Sequence, residues 1–105
     1  MGNTVIVRYT TRPDAAEENQ RLVENVFAEL ATSSPDGLRY ATFRLADGVT
    51  FVHVAVIDDE PNPLQQVTAF QEFARDINER CVDGPTPSQA TIVGSYRFGS
   101  SVSGA

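Results

Sequence analysis

The dipeptide Asp47-Gly48 lies between two runs rich in β-branched and aromatic residues, Leu38 to Ala46 and Val49 to Ile57. Asp and Gly both tolerate positive φ, the backbone state that a tight turn between right-twisted strands needs. The pattern therefore predicts a β-hairpin at the centre of the chain. That hairpin constrains everything else, because the segments on either side must supply helices and strands that complete one sheet.

Upstream, Thr4 to Thr11 (TVIVRYTT) has strand composition, with Val5, Val7 and Tyr9 on one face and Thr4, Ile6, Arg8 and Thr10 on the other. Pro13 suits the first turn of a helix, where its missing N–H is not needed, and Asp14, Glu17 and Glu18 complement the positive end of the helix dipole. Leu22, Val23, Val26, Phe27 and Leu30 recur at helical spacing. The helix should end near Ala31 to Ser33, before the turn residues Ser34-Pro35-Asp36-Gly37.

Downstream, Asn62-Pro63 can start a short helix, and Thr68 with Gln71 fits a capping box that opens a longer one. Val67, Phe70, Phe73, Ala74, Ile77 and Cys81 give it a buried stripe, with Cys81 as a small core residue. Gly84-Pro85-Thr86-Pro87 reads as a loop, Gln89 to Phe98 as the last strand, and Gly99 to Ala105 as a flexible tail. The order β-α-β-β-α-β predicts one α+β domain over residues 1–98. It has the ferredoxin-like arrangement, an antiparallel sheet with both helices on one face.

Two helices cover one sheet face only, and the other must be polar or be covered. The expectation is that Val52, Val54 and Val56 meet the helices. Phe51, His53, Ala55 and Ile57 would then face away, with Ile6, Leu38 and Tyr40 beside them. A second copy of the chain, packed sheet to sheet, would cover that face.

Composition narrows the partners. Net charge is −6, with 14 acids against eight bases, all of them Arg. This argues against nucleic acid and against an anionic membrane surface, both of which attract basic faces. No apolar run approaches the roughly 20 residues of a membrane span. Met1 to Thr4 enters the first strand without a signal-peptide pattern, so a cytoplasmic location is the expectation. One cysteine allows no internal disulfide and no zinc-type spacing. There is no phosphate-cradling glycine loop, no serine elbow and no carboxylate-rich metal motif, so no cofactor or metal is expected. Asp58-Asp59-Glu60 reads as a solvated acidic turn.

The run Gly37-Leu38-Arg39-Tyr40, then Asp47 and Phe51, with Phe70-Gln71-Glu72-Phe73 later, resembles the antibiotic biosynthesis monooxygenase-like family over roughly Val5 to Phe98. The resemblance implies a homodimeric α/β barrel with a pocket between sheet and helices in each subunit. It also implies relatives that include cofactor-free oxygenases of polycyclic phenols and haem-degrading enzymes. The chain departs from the family at Ala55, where Glu is frequent, at Ile57, where an aromatic follows, and at Ala69, where His is common.

His53, the only histidine, is the candidate catalytic group. Its ordinary pKa near neutrality would let it take a proton from a phenol. Arg8 is placed beside it on the same sheet face and could hold a carboxylate or phenolate. Tyr40, Phe51 and Phe70 complete the candidate substrate-binding set. Tyr9 and Tyr96 could line a pocket or pack in the core. Two functions are compatible with these residues: a cofactor-independent oxygenase acting on a small aromatic or polyketide-like molecule, or a non-catalytic homodimeric domain whose pocket has closed.

Overall fold

The central hairpin forms in a computed structural model that describes residues 3–58 and 61–97. Strand β2 (Leu38–Arg44) and strand β3 (Thr50–Ile57) pair antiparallel from Leu38 opposite Ile57 to Arg44 opposite Phe51. The connection is longer than a two-residue turn. Leu45 N donates to Thr50 O, Gly48 N donates to Leu45 O, and only Gly48 takes positive φ, at 80°. Asp47 acts through its side chain instead. Its carboxylate accepts from Val49 N, Thr50 N and Thr50 Oγ1 at 2.9, 2.9 and 2.6 Å. These bonds, the Thr50 hydroxyl first, hold its pKa below the ordinary value.

The first half of the chain folds as its pattern predicts. Strand β1 (Asn3–Thr11) leads through a 3-10 turn at Pro13–Ala15 into helix α1 (Ala16–Ser33). Ser34 closes α1 in the left-handed region at φ 45°, its N–H bonded to Leu30 O. A second 3-10 turn (Pro63–Gln66) precedes helix α2 (Thr68–Arg75), with the Asn62 side chain accepting from Leu64 N. The expected capping box does not form. Thr68 lies inside the helix, and the first N–H groups of α2 are met by α1: Glu29 accepts from Thr68 N at 3.1 Å and Ala69 N at 2.8 Å. A carboxylate from the neighbouring helix thus replaces the local cap.

The last strand lies earlier than the residue pattern suggests. A one-turn helix α3 (Ile77–Arg80) follows α2, and strand β4 (Cys81–Ala90) begins at once. The sheet order is β2-β3-β1-β4, all antiparallel. Cys81 therefore opens a strand instead of closing a helix stripe, and Gly84-Pro85-Thr86-Pro87 is strand, not loop. Prolines lack the N–H of a sheet ladder and are tolerated at edges and bulges. Strand β4 is an edge strand, and its register against β1 shifts between Arg8 and Thr10, where Gly84 and Pro85 sit. The pairing of β4 with β1 ends at Thr4 opposite Ala90. Thr91 to Arg97 lies outside the sheet, with Val93 97% exposed and Tyr96 80% exposed. Phe98, the expected tail and Asp59-Glu60 lie outside the described residues.

The two faces of β3 are assigned opposite to expectation. Phe51, His53, Ala55 and Ile57 are buried under the helices with Tyr9, Val23, Val26, Leu64, Val67 and Phe73. Val52, Val54 and Val56 lie on the open face. The pairing register places Ile6 opposite Val54 and Ala41 beside it, with Arg8 opposite Val52 and Phe43 next in line. The apolar second face exists, but it is made of Ile6, Ala41, Phe43, Val52, Val54 and Val56. None of the six is buried, and Phe43 is 40% exposed.

Candidate functional site

Inverting β3 takes His53 from the open face to the centre of the core. It is 5% exposed and touches three aromatic rings, Tyr9, Tyr40 and Phe73, with centroids 5.3 to 5.8 Å away. Both ring nitrogens are engaged. Nε2 lies 2.7 Å from the Tyr9 hydroxyl, and Nδ1 lies 2.6 Å from the Tyr40 hydroxyl and 3.1 Å from Thr42 Oγ1.

The network continues inward. Asn19 Nδ2 donates to the Tyr9 hydroxyl at 2.9 Å, and Arg80 Nε donates to Asn19 Oδ1 at 3.0 Å. Arg80 is 5% exposed, donates from Nη2 to Phe73 O at 2.7 Å, and lies over the Phe73 ring at 5.3 Å. A side-chain carbonyl, a backbone carbonyl and an aromatic face thus receive this buried guanidinium. No buried side-chain nitrogen or oxygen among the described residues lacks a partner.

These bonds fix the proton positions. Arg80 can only donate, so Asn19 must turn its oxygen to Arg80 and its NH2 to Tyr9. The Tyr9 oxygen thus accepts from Asn19, and its own proton has one buried partner left, His53 Nε2. If Nε2 carried a hydrogen instead, the Tyr9 proton would be stranded in the core, at a penalty of about 1–3 kcal/mol. His53 is therefore the Nδ1–H tautomer and donates towards Tyr40 and Thr42. Burial lowers its pKa from 6.5 to about 4, so it is neutral at pH 7. Burial likewise raises Tyr40 to about 12 and pushes Tyr9 up further.

Space for a ligand opens beside this network, along the seam between α1 and β2. One cavity of about 390 Å³ is lined by Phe27, Leu30, Ala31, Leu38 and Tyr40, with Ser34 and Pro35 at its end. A second of about 290 Å³ includes Gln20, Val23, Thr42, Arg44 and Phe51. Phe27 lines both, and its ring stacks on Tyr40 with centroids 5.0 Å apart. The larger volume falls in the range of small-molecule sites. At the mouth of the second, Arg44 donates to Gln20 Oε1, Glu17 Oε2 and Gly48 O, with its guanidinium 5.6 Å from the Phe51 centroid.

Of the residues singled out from sequence, the structure thus joins His53, Tyr40 and Phe51 in one neighbourhood. Phe51 is 1% exposed, stacks on Tyr9 at 5.6 Å and borders the second cavity. Phe70 is half-buried and packs on Phe73. Arg8 lies away from His53. It is exposed on the open face of the sheet, and Tyr9 occupies the place beside His53. Tyr96 is exposed, and no group of three or more metal-ligating side chains occurs among the described residues.

Asn19 and Arg80 were not among the candidates drawn from sequence, yet both carry a signal. Asn19 falls in the buried series Ala16, Asn19, Val23, Val26, and Arg80 in the series Phe70, Phe73, Ile77, Arg80, each at i, i+3, i+7, i+10. A polar residue in step with an apolar stripe marks a buried polar group.

This sheet with helices on one face is a fold shared with solved structures, antibiotic biosynthesis monooxygenase-like proteins among them. No protein-family model matches the chain, and no curated protein does. Solved structures match over most of the chain. Rv0793 from Mycobacterium tuberculosis is 18% identical with a TM-score of 0.73, covering 90% of this chain and 98% of that one. A putative antibiotic biosynthesis monooxygenase from Nitrosomonas europaea is 11% identical with a TM-score of 0.71, covering 88% and 90%. SnoaB, a cofactor-independent oxygenase from Streptomyces nogalater, is 18% identical with a TM-score of 0.66, covering 92% and 98%. At these identities the likeness is one of fold. No described helix is long and apolar enough to cross a membrane.

Proposed function

We propose that this chain binds a small aromatic or polyketide-like molecule in the groove between α1 and β2 and acts on it as a cofactor-independent oxygenase. The observation that carries the reading is the Tyr40 side chain, which lines the 390 Å³ cavity and is hydrogen-bonded at 2.6 Å to a buried, neutral histidine. The groove wall offers Phe27, Leu30 and Leu38 to an apolar ring and hydroxyls to a polar substituent. The shared fold with a cofactor-independent oxygenase supports the class of reaction. His53 serves here as a fixed dipole behind Tyr40 and Thr42. With both nitrogens engaged and its pKa held at about 4, it is a poor general base for direct removal of a proton at neutral pH.

The working unit is a homodimer. Its support is the open face of Ile6, Ala41, Phe43, Val52, Val54 and Val56, an apolar surface that a second copy would cover sheet to sheet. The competing reading, a non-catalytic paired domain, draws on the enclosure of His53, which lines neither cavity. Oxygen consumption separates the two. Polycyclic phenols incubated with the protein should take up dioxygen above the spontaneous rate, and the excess should fall in Tyr40→Phe. No excess uptake across such a panel, with ligand binding intact, would leave the binding domain as the answer.

A further inference from the structure

The hydrogen bonds around His53 form a chain with a direction. Arg80 donates to Asn19, Asn19 to Tyr9, Tyr9 to His53 Nε2, and His53 Nδ1–H to the hydroxyl pair Tyr40 and Thr42. The direction is set at one end by a cation that cannot accept. At the other end, proton counting decides what the groove meets. The two hydroxyls carry two protons. Neither is used on Nδ1, which already bears a hydrogen and donates towards both oxygens. Both O–H groups are left to point outward, and Tyr40 and Thr42 line the two cavities of the groove.

We infer that the Arg80–Asn19–Tyr9–His53 chain makes the Tyr40–Thr42 hydroxyl pair a polarised hydrogen-bond donor to the groove, which therefore selects aromatic ligands whose oxygen is anionic, a phenolate or an enolate. This deepens the proposed function and rests on its reading of the groove as the ligand site. Each donor in the line is polarised by the one behind it, with the guanidinium at the back, inside a low-dielectric core. Asn19 and Arg80 are positioning residues, since neither lines a cavity. The chain's direction is what they contribute.

Asn19→Asp tests the direction almost without changing shape. The new carboxylate still accepts from Arg80 but cannot donate to Tyr9. The Tyr9 proton turns to it, the His53 hydrogen moves to Nε2, and Nδ1 becomes an acceptor for Tyr40 or Thr42. One proton of the hydroxyl pair is then spent on Nδ1, and the other loses the donor that polarised it from behind. The probes are 4-nitrophenol, whose visible spectrum reports its ionisation, and 4-nitroanisole, its uncharged ether. The native protein should prefer the phenolate to the ether by roughly tenfold or more, the scale of one hydrogen bond to a charged group, and lower the bound phenol's pKa accordingly. In Asn19→Asp the preference and the pKa shift should fall severalfold while ether binding persists, which also shows that the groove is folded. The double replacement Tyr40→Phe with Thr42→Val should abolish both without altering the core charge, and it decides the matter if Asn19→Asp loses the fold. A phenolate preference that survives the double replacement, or its absence in the native protein while the ether binds, overturns the inference and leaves the groove as a ligand site. If neither probe binds the native protein, the groove reading falls and the inference with it.

Discussion

The Tyr9 hydroxyl and His53 Nε2 meet at 2.7 Å between the first and third strands, 44 residues apart in the chain. Their strands are neighbours in the sheet, and Val7, two residues before Tyr9, is the residue directly opposite His53. The bond is therefore a diagonal across one face of the sheet, and it couples the buried arginine to the groove.

Removing that hydroxyl should destabilise the fold strongly. Tyr9→Phe leaves Asn19 Nδ2 without its acceptor and His53 Nε2 without its donor, both in the core. Stranded buried groups of this kind cost about 1–3 kcal/mol each. The expected outcome is a loss of at least about 2 kcal/mol in urea unfolding with the slope unchanged. A loss under half that would show that water replaces the hydroxyl.

Stability should depend on pH through His53. Its pKa is about 4 folded and 6.5 in an open chain, so the unfolded state takes up the proton first. The contribution is full above pH 6.5 and is lost as pH falls towards 4. At about 1.4 kcal/mol for each pH unit between the two values, the loss over that window is about 3 kcal/mol. Urea midpoints measured across it should fall in the native protein and fall less in His53→Gln, which cannot titrate.

The second helix should depend on Glu29 and not on its own first residue. Glu29→Ala removes the acceptor of Thr68 N and Ala69 N and should destabilise the fold by about 1 kcal/mol, the scale of a lost cap. Thr68→Ala should change stability by a few tenths at most, because its hydroxyl makes no cap bond. Thermal or urea melts of the two variants compare them directly, and equal losses would refute the assignment.

Charge on the open sheet face should separate the proposed dimer. Val54→Glu places a carboxylate between Ile6 and Ala41, outside the His53 network. Light scattering at micromolar concentration should give twice 11.4 kDa for the native chain and 11.4 kDa for the variant. A native monomer would sink the pairing.

Much of the architecture was legible in one dimension. The hairpin at Asp47-Gly48, the Pro13 helix start, the Ser34 to Gly37 turn and the β-α-β-β-α-β order all come from local chemistry, and the sheet has them. The last strand was not legible, because Thr91-Ile92-Val93 has the better strand composition and Cys81–Ala90 contains two prolines. Its placement is set by its register against β1 and by the buried anchor at Arg80, whose O accepts from Arg12 N.

The site shows the same division. Alternation along β3 determined that Phe51, His53, Ala55 and Ile57 share one face and Val52, Val54 and Val56 the other. Period-2 alternation says which residues travel together, but not which set meets the helices, and here both sets are mostly apolar. The tertiary structure decided it. His53 can be buried only where each nitrogen finds a partner, and the helix side supplies one chain of them, from Arg80 and Asn19 through Tyr9. The valines need no partners, so they could be left for the open face.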